Sequence, residues 1–147
     1  MSFLSCKNGP SGGTMSETEL WSNSSPTSSF AVQTITLDIS YSNFDYIKMY
    51  CRHSTSDSTE FSAIVPTANL VLCSESGFSA MNTGQTLTVG CSEATSSTSK
   101  EYGRQVGKVD GDSTYKKMRV SACNSITGGT GRTINELLIP TKIVGIK

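Results

Sequence analysis

FDYIKMYCRH, residues 44–53, repeats its chemistry at every second position. Ile47, Met49 and Cys51 fall on one side, and Phe44, Tyr46 and Tyr50 fall on the other with Lys48 and Arg52. A period of two sends one row of side chains into a core and the other towards water, the pattern of a half-buried β-strand. The polar stretch STSDST follows at 54–59, and FSAIVP at 61–66 reads as a second, shorter strand.

The same rhythm extends in both directions. Upstream, Ala31, Ile35, Leu37 and Ile39 share one side, with Thr34, Thr36 and Asp38 opposite. Phe30 and Val32 have the wrong parity, so either both faces are covered at the strand start or a bulge near Gln33 resets the phase. Downstream, NLVLCS is a short strand candidate, and QTLTVGC points Leu87, Val89 and Cys91 inward. EYGRQVGKVD carries two glycines and reads as a weaker strand. TYKKMRVSAC buries Met118, Val120 and Ala122 and leaves Lys117, Arg119 and Ser121 wet. The ending NELLIPTKIVGIK is the most apolar segment, and Pro140 there would cost a ladder bond in a central strand. That predicts a bend, a bulge or a change of sheet at Pro140. No stretch sustains helical periodicity. About eight strands separated by Ser-, Thr- and Gly-rich turns predict an all-β, two-sheet β-sandwich of jelly-roll type, with an up-and-down barrel as the alternative.

At 147 residues the chain suits one domain with a core of its own. The breaker-rich start NGPSGGT makes residues 1–18 an N-terminal arm or linker, and the domain takes up 19–147. Twelve basic and twelve acidic side chains cancel, so no basic footprint for nucleic acid or an anionic membrane is present. Serine and threonine together supply 43 residues, which fits strands and turns once the apolar alternation is seen. The five cysteines, Cys6, Cys51, Cys73, Cys91 and Cys123, match no close-spaced zinc or redox motif and are expected as free thiols. The start has no apolar run of signal-peptide length, and no run reaches the roughly 20 residues of a membrane span. Synthesis in a reducing cytoplasm is therefore expected, with no membrane insertion and no sugar on Asn23 of the Asn-Ser-Ser triplet.

Each motif with chemical potential has a plainer reading. His53 is the single histidine. Asp45 or Asp57 could complete a Ser-His-Asp set, but the nucleophile elbow is absent and a turn-side histidine is expected. Asp110-Gly111-Asp112-Ser113 resembles a fragment of a calcium loop, yet Asp-Gly is a hairpin signal first. Gly128–Thr133 resembles a phosphate loop but has Ile126 where glycine is required and lacks the lysine. Glu60, Glu75, Glu93, Glu101 and Glu136 could supply a glycosidase pair only if two of them met in a cleft. Trp21, Tyr46, Tyr102 and Tyr115 are the candidate surface-binding residues, because aromatic faces stack on sugar rings while neighbouring hydroxyls and amides bond to theirs. No cofactor and no metal are expected.

LWSNSSPTSSFAVQTITLD at 20–38, FDYIKMYCR at 44–52 and LIPTKIVGIK at 138–147 resemble the corresponding segments of small domains in phage and prophage structural proteins. Those domains occur alone or at the C-termini of tail, tail-fibre and baseplate-associated proteins, particularly in phages of gut Firmicutes. The likeness covers both ends of the domain, and from about 54 to 134 it is one of strand-and-turn rhythm. The cysteines at 51, 73, 91 and 123 and Val144, where the family often has tyrosine, depart from the pattern. The resemblance implies a non-enzymatic virion protein made in the bacterial host cytoplasm and assembled as a homo-oligomer, with a trimer favoured, among other virion proteins. It also implies contact with a host surface glycan, and it brings no catalytic set. A carbohydrate-binding module and a small polysaccharide hydrolase are the alternative readings.

Overall fold

The computed structural model describes residues 15–70, 72–73, 87–95, 98–127 and 130–147. Its strands are β1 (Glu17–Ser22), β2 (Gln33–Thr36), β3 (Tyr46–Ser54), β4 (Glu60–Pro66), β5 (Leu72–Cys73), β6 (Leu87–Thr95), β7 (Thr98–Val109), β8 (Lys117–Val120), β9 (Asn124–Thr127), β10 (Thr130–Thr133) and β11 (Leu137–Ile146). They form two separate sheets packed as an all-β sandwich, rather than one closed barrel. Among the described residues no helix is long and apolar enough to cross a membrane.

The first sheet is antiparallel in the order β1-β11-β3-β4. Its apolar final strand is central, because a strand with partners on both edges and a core below it gains most from an apolar sequence. Pro140 does break the ladder, and the register of β11 against β3 shifts between Pro140 and Lys142. The β1–β11 register shifts between Glu19 and Trp21. Side chains repair the first break: Asn23 Nδ2 donates to the Pro140 carbonyl at 2.8 Å, and Thr141 Oγ1 donates to the Tyr50 carbonyl at 3.1 Å. The first paired residue is Glu17, two positions before the boundary read from the sequence.

The second sheet is built on β7, the segment read as the weaker strand and in fact the longest. Val106 pairs with Leu87 on one side and Val120 on the other, and Lys108 pairs with Leu72 and Met118. Hence β5 and β6 share one edge of β7, while β8 and β9 share the other. Beyond them lie β2 and β10. The β5–β7 pair is parallel, and the remaining ladders of the described chain are antiparallel.

Ile35, Leu37, Ile47, Met49, Cys51, Leu87, Val89, Met118 and Val120 are buried where the alternation put them. Three expectations fail. Ala31 and Ile39 are exposed, and Phe30 is buried instead, because β2 is only four residues long and carries no bulge at Gln33. Phe30 enters as a loop residue, its N–H on the Asn135 carbonyl and its ring edge-on to Trp21. Ser121 is buried, not wet: its hydroxyl accepts the Gln105 N–H at 2.8 Å and its own N–H donates to the Gln105 carbonyl. This local substitute for a ladder separates β8 from β9, which is one reason the strands outnumber the eight expected.

Arg104 is fully buried between the sheets, and no carboxylate among the described residues pairs with it. Its guanidinium donates to the carbonyls of Leu138 (2.7 Å), Phe30 (3.0 Å), Ser121 (2.5 Å) and Leu137 (3.0 Å), and lies 5.3 Å from the Phe30 ring centroid. Leu138 sits at φ 46°, in the left-handed region, and thereby turns two successive carbonyls to the same cation. Burial pushes the Arg104 pKa down, but a guanidinium remains charged across the range in which proteins fold.

Cys51, Cys91 and Cys123 form no disulfide among the described residues, and the first and last are buried. Burial pushes Cys51 up from 9.0 to about 12 and Cys123 from 9.0 to about 11, and it pushes Tyr41 from 10.0 to about 12. Each group holds its proton more tightly in the folded chain than in the unfolded one. Their contribution is therefore complete below the unfolded values and is lost as pH rises through the folded ones. Urea unfolding from pH 8 to 12 is expected to show a midpoint that falls progressively above pH 9, with a shallower fall in a Cys51→Ala/Cys123→Ala variant. A midpoint independent of pH across that range would contradict this assignment.

Candidate functional site

At one end of the sandwich the segment between β2 and β3, the turn after β4 and the β7–β8 loop converge on an open cleft. It comprises two adjoining depressions of about 350 and 330 Å³ that share Tyr41, Lys108 and Tyr115. Such volumes sit at the lower end of small-ligand sites, which run from about 300 to 1,000 Å³.

Every wall is tied down. Tyr41 is buried in a short 3-10 turn, Tyr41–Asn43. Phe44 lies against Gly145 of β11, where there is no side chain to exclude it. Asp45 donates its N–H to the Ile146 carbonyl and accepts the Thr67 N–H, which joins the two sheet-edge turns. Across the cleft, Asp112 organises the β7–β8 loop. One of its oxygens accepts from the Thr114 N–H and hydroxyl, and the other accepts from the N–H groups of Lys116 and Lys117 at 2.9 and 2.8 Å. The Thr114 hydroxyl leads the bonds that hold the Asp112 carboxyl below its ordinary pKa. A carboxylate used this fully by its own loop has no oxygen left over for a cation, so the Asp-Gly-Asp-Ser stretch is a turn. Among the described residues no cluster of three metal-ligating side chains exists.

Tyr115 closes the loop. It sits at φ 55°, and its carbonyl accepts the Tyr41 N–H at 2.9 Å. Its ring meets Tyr41 edge to face at 5.7 Å, and the residue is 45% exposed. The cleft therefore presents one exposed aromatic ring, one lysine, hydroxyls from Ser42 and Ser113, and the carboxylates of Asp45 and Asp112. Lys108 makes no ion pair with any described carboxylate.

The other three aromatic candidates do not join Tyr115. Tyr102 is 5% exposed and belongs to the core, so it cannot offer a face to a ligand. Its place on central β7 is the reason, since Tyr102 and Arg104 share the inward side. Tyr46 is exposed on the outer face of the first sheet, paired with Ile146 and Pro66. Trp21 is half-buried against Phe30 and lines a separate groove of about 350 Å³ walled by Ser22, Asn23, Ser25, Ser28 and Gln33. Asn23 is already committed there, to Pro140 and to the Ser25 N–H.

His53 Nδ1 lies 2.9 Å from Asp57 Oδ2 in the β3–β4 turn. Asp57 also accepts the Thr59 N–H and hydroxyl, and the backbone bond from Thr59 leads the lowering of its pKa. The Ser54 hydroxyl accepts the N–H groups of Ser56 and Asp57. All three polar side chains thus serve the turn. Of the glycine-rich stretch, Thr130–Thr133 is β10, hairpin partner of β9, and Gly128 and Gly129 lie outside the described residues. Glu75 and the side chain of Glu93 also lie outside them; Glu60, Glu101 and Glu136 are exposed, and none of the three lines the end cleft or the Trp21 groove.

The outer face of the first sheet carries one further cluster. The Tyr50 hydroxyl donates to Glu17 at 2.5 Å, with Lys48 3.6 Å from the same oxygen. Lys48 and Lys142 place their ammonium groups 4.4 and 4.6 Å from the Tyr50 ring centroid. The set links β1, β11 and β3 across their exposed side, an arrangement of modest energy.

Sequence reasoning missed Lys108, and it weighed Tyr41 with the other tyrosines without keeping it among the candidates. Neither carries a local signal: Lys108 is one polar residue in a long strand, and only the fold brings it opposite Tyr41. No known family model matches the chain, and no curated protein matches it.

Proposed function

We propose that the chain is a non-enzymatic structural domain of a phage or prophage virion, a tail or appendage component that contacts the host surface. The observation that carries this reading is spatial. The segments at both ends that resemble phage structural domains, together with the Phe44–Arg52 segment, supply the second half of β1 and most of β11 and β3, three neighbouring strands of one sheet, and also β2 of the other. Segments far apart in the chain and alike in one family then act as one unit, which a chance likeness between short apolar strings does not require. Exposed Tyr46 and Ile64 give the same sheet's outer side apolar surface for a neighbouring subunit. A homo-oligomer, with a trimer as the expected size, fits such an appendage. Light scattering coupled to size exclusion at rising protein concentration is expected to give a multiple of the 15.6 kDa chain mass. A strict monomer at millimolar concentration would overturn the assembly part.

The end cleft favours a second reading, in which the domain binds carbohydrate, free or on the virion. An exposed ring beside hydroxyls and a lysine is suited to a sugar, whose apolar face stacks while its hydroxyls bond.

A further inference from the structure

We propose that the end cleft binds an acidic saccharide, with Tyr115 as the stacking platform and Lys108 as the counter-charge. The inference rests on the carbohydrate-binding reading and adds the charge of the ligand and the residues that select it.

Tyr115 is the starting point. A non-glycine residue in the left-handed region costs about 1–2 kcal/mol. Glycine or asparagine would make the same turn at less cost. What this exposed tyrosine adds is a ring that lines the cleft and is held edge-on by Tyr41. The ring is fixed before any ligand arrives, since Asp112 holds the loop through four hydrogen bonds and Tyr41 holds the Tyr115 carbonyl. A platform ordered in advance does not lose its freedom on binding.

Lys108 decides the charge. It lines both depressions and has no ion-pair partner among the described residues. Two carboxylates also line the cleft, and each has a distinct place. The Asp112 oxygens are used by the loop, and Asp45 lines only the larger depression. A ligand acid is therefore best placed in the smaller depression, between Lys108 and the open backbone at Gly111, where no described atom outside the glycine and its two chain neighbours lies within 4 Å of the missing Cβ position. Hydroxyls of the adjoining sugar then face Ser42 and Asp45 in the larger one. The sugar ring between them lies on Tyr115, the exposed ring common to both depressions.

Titration of the ¹⁵N-labelled protein with trigalacturonate, and in parallel with neutral maltotriose, tests this. Trigalacturonate is expected to shift amides of residues 108–116 and to bind roughly tenfold or more tightly than maltotriose. The preference should shrink with added salt. Lys108→Gln should remove the preference. Tyr115→Asn, which suits the same backbone conformation, should weaken both sugars about tenfold or more with the melting temperature kept or raised. Equal binding of the two sugars, unchanged by Lys108→Gln, overturns the charge assignment and leaves the carbohydrate reading standing. Absence of binding by either sugar at millimolar concentration overturns both.

Discussion

Replacing Arg104 by methionine is expected to lower the unfolding free energy by about 3–5 kcal/mol, although methionine fills similar space and carries no charge. An apolar substitute can stabilise a protein when it replaces every member of a buried polar group. Here it replaces only the donor. The carbonyls of Phe30, Ser121, Leu137 and Leu138 are backbone atoms that stay where they are, and each would be left with a weaker partner or none. These acceptors belong to three separate segments: the loop before β2, the break between β8 and β9, and the start of β11. One planar five-donor group reaches all of them, whereas the three hydrogens of a lysine diverge from a single point. Arg104→Lys should therefore lose most of the same stability. Urea unfolding at pH 7 measures both as a fall in midpoint at constant slope. A loss below about 1 kcal/mol for Arg104→Met would mean that the four bonds contribute little net.

The second large effect concerns Gly145, next to the last residue of β11. An added Cβ would stand 2.3 Å from Cγ of Phe44 and under 3 Å from both Cδ atoms. Cγ is the root of the ring, so turning the ring about its own axis relieves nothing. Gly145→Ala must displace Phe44, which packs against the core and lines the end cleft. The expected cost is about 1–3 kcal/mol, the range for overpacking. The two residues should be strongly coupled. In a Phe44→Ala background the same change should cost far less, with an interaction energy of about 1–2 kcal/mol in the double-mutant cycle. Additive effects would place the strain elsewhere.

The alternation in β3 was readable because one face meets a core and the period runs on to Cys51, whereas β11 was legible as a strand from its apolar run and not from a period. β7 was readable only as a weak strand, and Arg104 adds to the reason its two glycines gave. A core-facing arginine breaks the apolar row, and what makes it compatible with burial is a set of carbonyls up to 74 positions away. Local patterns contain no record of them. The FAVQTITLD segment fails for a related reason. Its parity is right at Ile35 and Leu37, but Phe30 outweighs it at the start, because a large ring gains more from burial than the alanine beside it. At the site, Tyr115 followed from its residue type next to a turn. Tyr102 is the same residue type placed by central β7 in the core, so type alone could not separate the two. The cleft depends on Lys108 and Tyr41 meeting Tyr115, and only the packing of the two sheets against each other brings these three together.

The virion assignment is tested most directly in the particles. Phage particles released by the strain that carries the gene, purified on a density gradient, can be analysed by quantitative mass spectrometry and labelled with an antibody to residues 15–147. The account predicts peptides of the chain at a fixed ratio to the other tail proteins, and label on the tail or its appendages. A chain that is abundant in the cell lysate and absent from the purified particles would contradict it.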